Sequence, residues 1–195
     1  MTEVLPASLV AALEALQRSL TVAGIPVVIV GGVAASLLGR PRLTRDIDAL
    51  VDLAEGRWPE IIAAAQNYGI EPRVDAPLDF ARRSRVLLLR HGPSQIDIDI
   101  ILGALPFERD AVAAAQPHAF GPLEIRLPRV EDLMIMKALA QRPRDLIDLE
   151  ALLDTHPDAD LERVRQWVRE FATAATQPDM LTAFDVLVAQ SKARR

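Results

Sequence analysis

Between Gly31 and Asp48 the chain reads GGVAASLLGRPRLTRDID. The preceding residues, 25–30, form a short apolar run rich in β-branched side chains, which is typical of a buried strand. A Gly-Gly turn then opens a short apolar helix over residues 33–38. An Arg-x-Thr-x-Asp-x-Asp segment follows and leads into a second strand over residues 47–53. Strand, glycine turn, helix and acidic strand in this order predict the start of an α/β fold.

The acidic strand carries two carboxylates on one side. Asp46 and Asp48 are two residues apart, and alternate residues of a strand project from the same face. Two carboxylates so placed repel each other unless a cation lies between them. Mg²⁺ prefers hard oxygen ligands and completes its shell with water and substrate phosphates. The pair therefore predicts a site for Mg²⁺ or Mn²⁺.

The glycine turn predicts a phosphate site close to these acids. The first N–H groups of a helix have no partner within the helix, and they attract anions. Gly31 and Gly32 stand where such a helix begins. A phosphate site beside a metal site points to nucleotide chemistry.

A second acidic strand follows later in the chain. Residues 82–90 and 95–102 flank the turn His91-Gly92-Pro93-Ser94 and are predicted to form a β-hairpin. Asp97 and Asp99 share one face of its second strand. This face is either an ordinary solvent face or the source of a third acid, which metal-assisted phosphoryl transfer needs beside the first two. If the two acidic strands are neighbours, all four acids converge on one edge of the sheet.

The carboxy-terminal part is predicted to be helical, with helices over residues 130–141, 143–154, 160–175 and 179–192. A short hairpin or strand over residues 119–127 precedes it. The predicted architecture is an α/β (α+β) domain, residues 1–128, with a mixed β-sheet and flanking helices. A C-terminal helical bundle, residues 129–195, follows it.

These motifs together resemble the DNA polymerase β-type nucleotidyltransferase superfamily. More narrowly, the chain is similar to the AbiEii/MenT-type toxin nucleotidyltransferases. The resemblance rests on Gly-Gly, Arg-x-Thr-x-Asp-x-Asp and the later Ile-Asp strand. It also rests on the helical segments VEDLMIMK, which ends at Lys137, and RPRDLID, which ends at Asp148. It covers roughly residues 20–155 and implies the nucleotidyltransferase fold.

The resemblance also implies roles for the acids and for the glycines. Asp46 and Asp48 would bind Mg²⁺, and Gly31 and Gly32 would contact the triphosphate through backbone amides. The third catalytic and metal-binding acid would be Asp99, because the family places this acid four residues before the glycine that matches Gly103. Asp97 is the alternative, or a supporting acid.

Further residues have two open interpretations each. Either Arg42 contacts a phosphate and Thr44 orders the loop, or both are ordinary turn residues, with the arginine in solvent. Lys137 approaches the triphosphate from the helical half, or its long side chain extends to solvent. Asp145 and Asp148 orient Arg144 or Lys137, or they cap the helix that starts near Pro143.

Composition narrows the class of protein and its partners. The chain of 195 residues has no cysteine and a net charge of −5, which argues against non-specific coating of nucleic acid. A local basic groove is still possible, because arginines cluster at 40–45 and again at Arg82, Arg83, Arg85 and Arg90. The last four form either a basic strand face for an RNA acceptor or an exposed hairpin face without a partner. No apolar run is long enough for a membrane span, and the amino terminus is acidic, so we expect a cytoplasmic protein without a membrane partner.

The predicted activity is transfer of a nucleoside monophosphate from an NTP to an acceptor hydroxyl, with Mg²⁺ or Mn²⁺ as cofactor. The resemblance implies a tRNA 3′ end or a protein side chain as acceptor, and a cognate antitoxin as partner. Two alternatives stay open: a catalytically inactive binding or antitoxin module, and a small-molecule (antibiotic) nucleotidyltransferase.

Overall fold

The structure, a computed structural model, describes residues 5–120 and 123–194. Within these ranges the chain forms two compact units. The first comprises the residues up to Val33 together with Arg42–Pro128, and the second comprises Ala34–Pro41 together with the residues from Arg129 onward. The predicted domains differ from these units in the segment Ala34–Pro41, and the division into domains stays a prediction.

The described part of the first unit is built on a mixed sheet of five strands in the order β1-β2-β5-β4-β3. The strands are Val27–Val30 (β1), Asp46–Val51 (β2), Ile70–Pro72 (β3), Val86–His91 (β4) and Ile96–Leu102 (β5). β2 runs parallel to β5, and the other neighbours are antiparallel. The two acidic strands therefore lie side by side, and the predicted mixed α/β fold is confirmed.

Helices cover this sheet and bury its apolar side chains. They are Ala7–Val22 (α1), Trp58–Gln66 (α3), Pro77–Ser84 (α4) and Pro106–Ala114 (α5). A further helix, Gly31–Leu38 (α2), follows β1 and continues beyond Val33 into the second unit. α1 packs on β2, β5 and α3. Its leucines recur at helical spacing and are fully buried: Leu9, Leu13, Leu16 and Leu20.

A separate hairpin joins Gln116–Phe120 (β6) to Leu123–Leu127 (β7). The sequence predicted a hairpin or strand here, and the Gly121-Pro122 pair on which that prediction rested lies outside the described residues. β7 lies against β1.

The described part of the second unit contains the helices Val130–Ala140 (α6), Pro143–Thr155 (α7), Leu161–Ala174 (α8) and Asp179–Ala193 (α9). Each agrees with its predicted range to within one residue at either end. α6 is the central helix and contacts the other three. In the described residues no helix is both long and apolar enough to cross a membrane.

The prediction of one strand over residues 82–90 is wrong. Residues 77–84 form α4, which has Pro77 in its first turn and ends at Arg85 in the left-handed conformation, with φ of 61°. Arg82 is held on this helix, because its guanidinium pairs with Asp79 at 2.7 Å and with Glu55 at 3.0 Å. The strand proper begins at Val86. The short edge strand β3 was not predicted.

Candidate active site

The four predicted acids lie on one face of two adjacent strands. In the parallel β2–β5 ladder, Asp46 stands opposite Asp97, and Asp48 stands opposite Asp99. Strands are about 4.8 Å apart and alternate residues about 6.6 Å apart, so the four side chains start from the corners of a small rectangle. Ile47 and Ile98, which lie between the acids in sequence, are fully buried.

Gly31 lies against one of these acids. β1 is antiparallel to β2, with Val30 opposite Asp48, so the residue that follows β1 arrives beside Asp48. The backbone of Gly31 has a φ of 60°, and a Cβ placed on it would lie within 3.0 Å of the Asp48 side chain. Because this conformation and this contact both exclude a side chain, the position requires glycine.

Gly32 lies against the residues that precede β2. A Cβ on Gly32 would be 2.5 Å from Thr44 Oγ1 and 3.2 Å from Arg42 Nη2. Thr44 is buried, and its hydroxyl donates a hydrogen bond of 3.1 Å to Asp46 Oδ1. The structure therefore brings the two glycines, Arg42 and Thr44 together with the acids of β2. Their assignment to nucleotide binding stays a prediction.

Two arginines hold the acids of β5. Arg90, on β4 directly opposite Asp97, lies 2.6 Å from it. Arg73, which follows β3, forms an ion pair with Asp99 and lies 3.7 Å from Asp97. Arg73 was not predicted, because it follows a strand that was itself missed and lies 26 residues before Asp99.

The pairing of Asp97 changes its acidity. The hydrogen bond from Arg90 is the largest influence, and with the nearby charges of Arg73 and Arg90 it lowers the pKa of the Asp97 carboxyl despite partial burial. Asp97 is thereby held as a carboxylate by a cation of its own sheet.

The donor set fits a magnesium ion that brings its own further ligands. In the described ranges, no group of three or more acidic or histidine side chains is arranged to hold a metal ion. Mg²⁺ in nucleotide sites commonly uses one or two carboxylates and takes its remaining oxygens from water and phosphate. Asp46 and Asp48, on one strand face beside the start of α2, meet that need.

The second unit contains a buried ionic cluster. Lys137 Nζ lies 2.9 Å from Asp145 Oδ1 and 2.8 Å from Asp148 Oδ2, and each side chain is at most 6% exposed. Arg142 adds a contact of 2.5 Å to Asp145. Burial would raise the pKa of Asp145, but the hydrogen bonds from Arg142 and Lys137 outweigh it, and the pKa is lowered.

This cluster shows what surrounds Asp145 and Asp148, for which two interpretations were open. The residue before α7 is Arg142, which makes no side-chain cap, and Asp145 points to Lys137 and Arg142. Both aspartates therefore contact Lys137, and Arg144 is exposed; their supporting role stays a prediction. Lys137 does not extend to solvent. Its role at the triphosphate stays a prediction.

The predicted basic strand face does not form. Arg82 and Arg83 lie on α4, and Arg85 turns inward: its guanidinium donates to the carbonyls of Leu102 and Gly103 and lies 5.1 Å from the Trp58 ring centre. Of the four arginines, Arg90 alone is on a strand. The error follows directly from treating residues 82–90 as one strand.

Solved structures of nucleotidyltransferases share this fold. The solution structure of the antibiotic-resistance factor ANT(2'')-Ia aligns with a TM-score of 0.60, covering 85% of this chain and 91% of that chain at 13% identity. The crystal structure of an antigenic nucleotidyltransferase-like protein from Paracoccidioides brasiliensis aligns with a TM-score of 0.53, covering 94% and 92% at 15% identity. The chain thus has the nucleotidyltransferase fold. No curated protein matches it in sequence.

A family model narrows the class further. The model of the nucleotidyl transferase AbiEii toxins, of type IV toxin–antitoxin systems, matches residues 14–194. The chain therefore belongs to the AbiEii family and is a nucleotidyltransferase, which confirms the resemblance inferred from the motifs.

Replacing Gly31 tests the glycine contact. We expect Gly31→Ala to destabilise the protein by more than the roughly 1–2 kcal/mol of a left-handed alanine, because its methyl group also displaces Asp48. Gly24→Ala is the matched control, since Gly24 has a φ of 64° and nothing within 4 Å of its Cβ position. Urea denaturation measures both. If the two variants lose the same free energy of unfolding, the contact between the new methyl group and Asp48 does not contribute to the destabilisation.

Replacing Lys137 tests the buried cluster. Lys137→Met leaves Asp145 and Asp148 buried without their shared cation, so we expect a loss of about 3–5 kcal/mol in the free energy of unfolding. Lys192→Met, at an exposed lysine of α9, should change it by about 0.5 kcal/mol or less. If the two variants unfold at the same urea concentration, the cluster does not hold the helices together.

Proposed function

We propose that this chain transfers a nucleoside monophosphate from an NTP to an acceptor hydroxyl, with Mg²⁺ or Mn²⁺ bound at Asp46 and Asp48. The observation that carries the proposal is the register of β2 on β5. It sets Asp46 opposite Asp97 and Asp48 opposite Asp99, and it leaves Asp48 in contact with Gly31, the first residue of α2. A catalytically inactive module has no need of this arrangement.

Each residue has a distinct task in the proposed reaction. The backbone amides at Gly31 and Gly32 hold the triphosphate, Arg42 pairs with a phosphate oxygen, and Thr44 fixes the Asp46 carboxylate through its hydrogen bond. The divalent metal, when bound, neutralises charge on the phosphates.

The third acid acts on the acceptor. Asp99 orients the acceptor hydroxyl and takes its proton as the oxygen attacks the α-phosphorus. The new bond joins the acceptor oxygen to the α-phosphorus, the bond from the α-phosphorus to the oxygen bridging to the β-phosphorus breaks, and pyrophosphate leaves. Asp97 stays paired with Arg90 and supports the strand.

The family supports a restricted set of partners. We propose a tRNA 3′ end or a protein side chain as acceptor and a cognate antitoxin as the restraining partner. Incubation with each α-labelled NTP, Mg²⁺ and either total RNA or total protein identifies the acceptor by the fraction that takes up label. A parallel incubation contains an antibiotic with free hydroxyl groups in place of RNA and protein. Label taken up by the antibiotic alone would show that the acceptor is a small molecule.

The metal assignment is tested by thermal unfolding. At about 100 times its Kd, a non-hydrolysable NTP with Mn²⁺ should stabilise the protein by about 2.7 kcal/mol, which is a rise in Tm of roughly 5–10 °C. Asp46→Asn with Asp48→Asn should abolish the rise. Asp158→Asn with Asp179→Asn removes the same charge at exposed sites and should preserve it. An unchanged rise in the Asp46/Asp48 variant would refute the assignment.

The choice of third acid is tested by a matched pair of variants. Asp99→Asn should lower kcat by about 10²–10⁴-fold with little change in NTP affinity, because it removes the proton acceptor. Asp97→Asn removes the same charge from the same strand face and should have a much smaller effect. Turnover of labelled NTP measures both, and the reverse order of effects would make Asp97 the third acid.

A further inference from the structure

The cation that holds Asp99 comes from two strands away. The backbone N–H of Arg73 donates to the Leu88 carbonyl at 3.0 Å, which places Arg73 beside β4 at the end of β3. Leu88 in turn stands opposite Asp99 on β5. The side chain of Arg73 therefore crosses β4 to reach its carboxylate.

This ion pair involves the group that the proposed reaction needs. A carboxylate that accepts hydrogen bonds from a guanidinium has fewer oxygen lone pairs left for a metal ion or for an acceptor hydroxyl. The pair is also partly open to solvent, with 29% of the Arg73 side chain and 34% of the Asp99 side chain exposed. Such pairs are weak and readily exchanged.

We propose that Arg73 is a displaceable counter-ion of Asp99, so that a divalent cation held at the neighbouring Asp46 and Asp48 competes with the Arg73 guanidinium for this carboxylate. The inference rests on the proposed function, in which Asp99 is the third acid. Once displaced, the guanidinium lies on the same sheet face as the four acids, where an incoming phosphate can take it as a partner. Arg73 is thus a positioning residue, which sets when Asp99 is available.

Arg90 provides the contrast within the same sheet. It is the direct cross-strand neighbour of Asp97, and its 2.6 Å contact is made to that acid. Arg90 thus pairs with Asp97, whereas the proposed function assigns Asp99 to the acceptor hydroxyl. Replacing either arginine by glutamine removes one positive charge beside β5, so the two variants are matched.

The test measures binding of Mn²⁺ alone, by titration followed through the paramagnetic resonance signal of free Mn²⁺. Arg73→Gln should bind Mn²⁺ about two- to fivefold more tightly than the wild type, the range that a partly exposed ion pair can supply. Arg90→Gln should bind with nearly wild-type affinity. Adding Asp99→Asn to Arg73→Gln should remove the gain, because the contested carboxylate is gone.

A purely structural ion pair predicts a different result. Arg73→Gln would then lower stability without tightening Mn²⁺ binding, and that result overturns the inference, as does a gain that survives Asp99→Asn. Arg73→Lys keeps a cation with a single nitrogen and should give a smaller gain, so it serves if the glutamine variant folds poorly. Wild-type Mn²⁺ binding that is insensitive to Asp46→Asn with Asp48→Asn would refute the proposed metal site itself.

Discussion

The parallel pairing of β2 with β5 is the constraint on which the candidate site depends. It sets Asp46 against Asp97 and Asp48 against Asp99, and it places Ile47 and Ile98 in the core. Because strand side chains alternate, a slip of one residue in either strand would bring carboxylates into the core and isoleucines to the acid face. Burying an unpaired carboxylate is so costly that the apolar core and the acid cluster select the same register.

The two units handle concentrated charge in opposite ways. Near the sheet, Arg73 and Arg90 pair with acids that are about one third exposed, so these contacts are weak and exchange readily. In the helical unit, Lys137 is buried with Asp145 and Asp148, and losing the lysine removes the cation that the two buried carboxylates share. The first arrangement suits a site that must admit a charged substrate, and the second suits a fixed framework.

Local sequence patterns predicted the acids, the glycine turn and the four C-terminal helices, because each of these depends on residues close together in the chain. The same patterns failed over residues 70–85. β3 has three residues, too few to show a period, and α4 was merged with the strand that follows it although Pro77 and Asp79 are helix-start signals. Arg73 could not be predicted, since its partner Asp99 is brought near only by the strand order β5-β4-β3.

The position of β3 at the margin of the sheet has a consequence for local stability. Short edge strands open at a much lower free energy than internal ones, because few contacts and few hydrogen bonds hold them. Fraying of β3 loosens the backbone that carries Arg73 while leaving the internal strands β2 and β5 intact. Arg73 is therefore anchored at an edge of the sheet, whereas the acids stand on the internal strands β2 and β5.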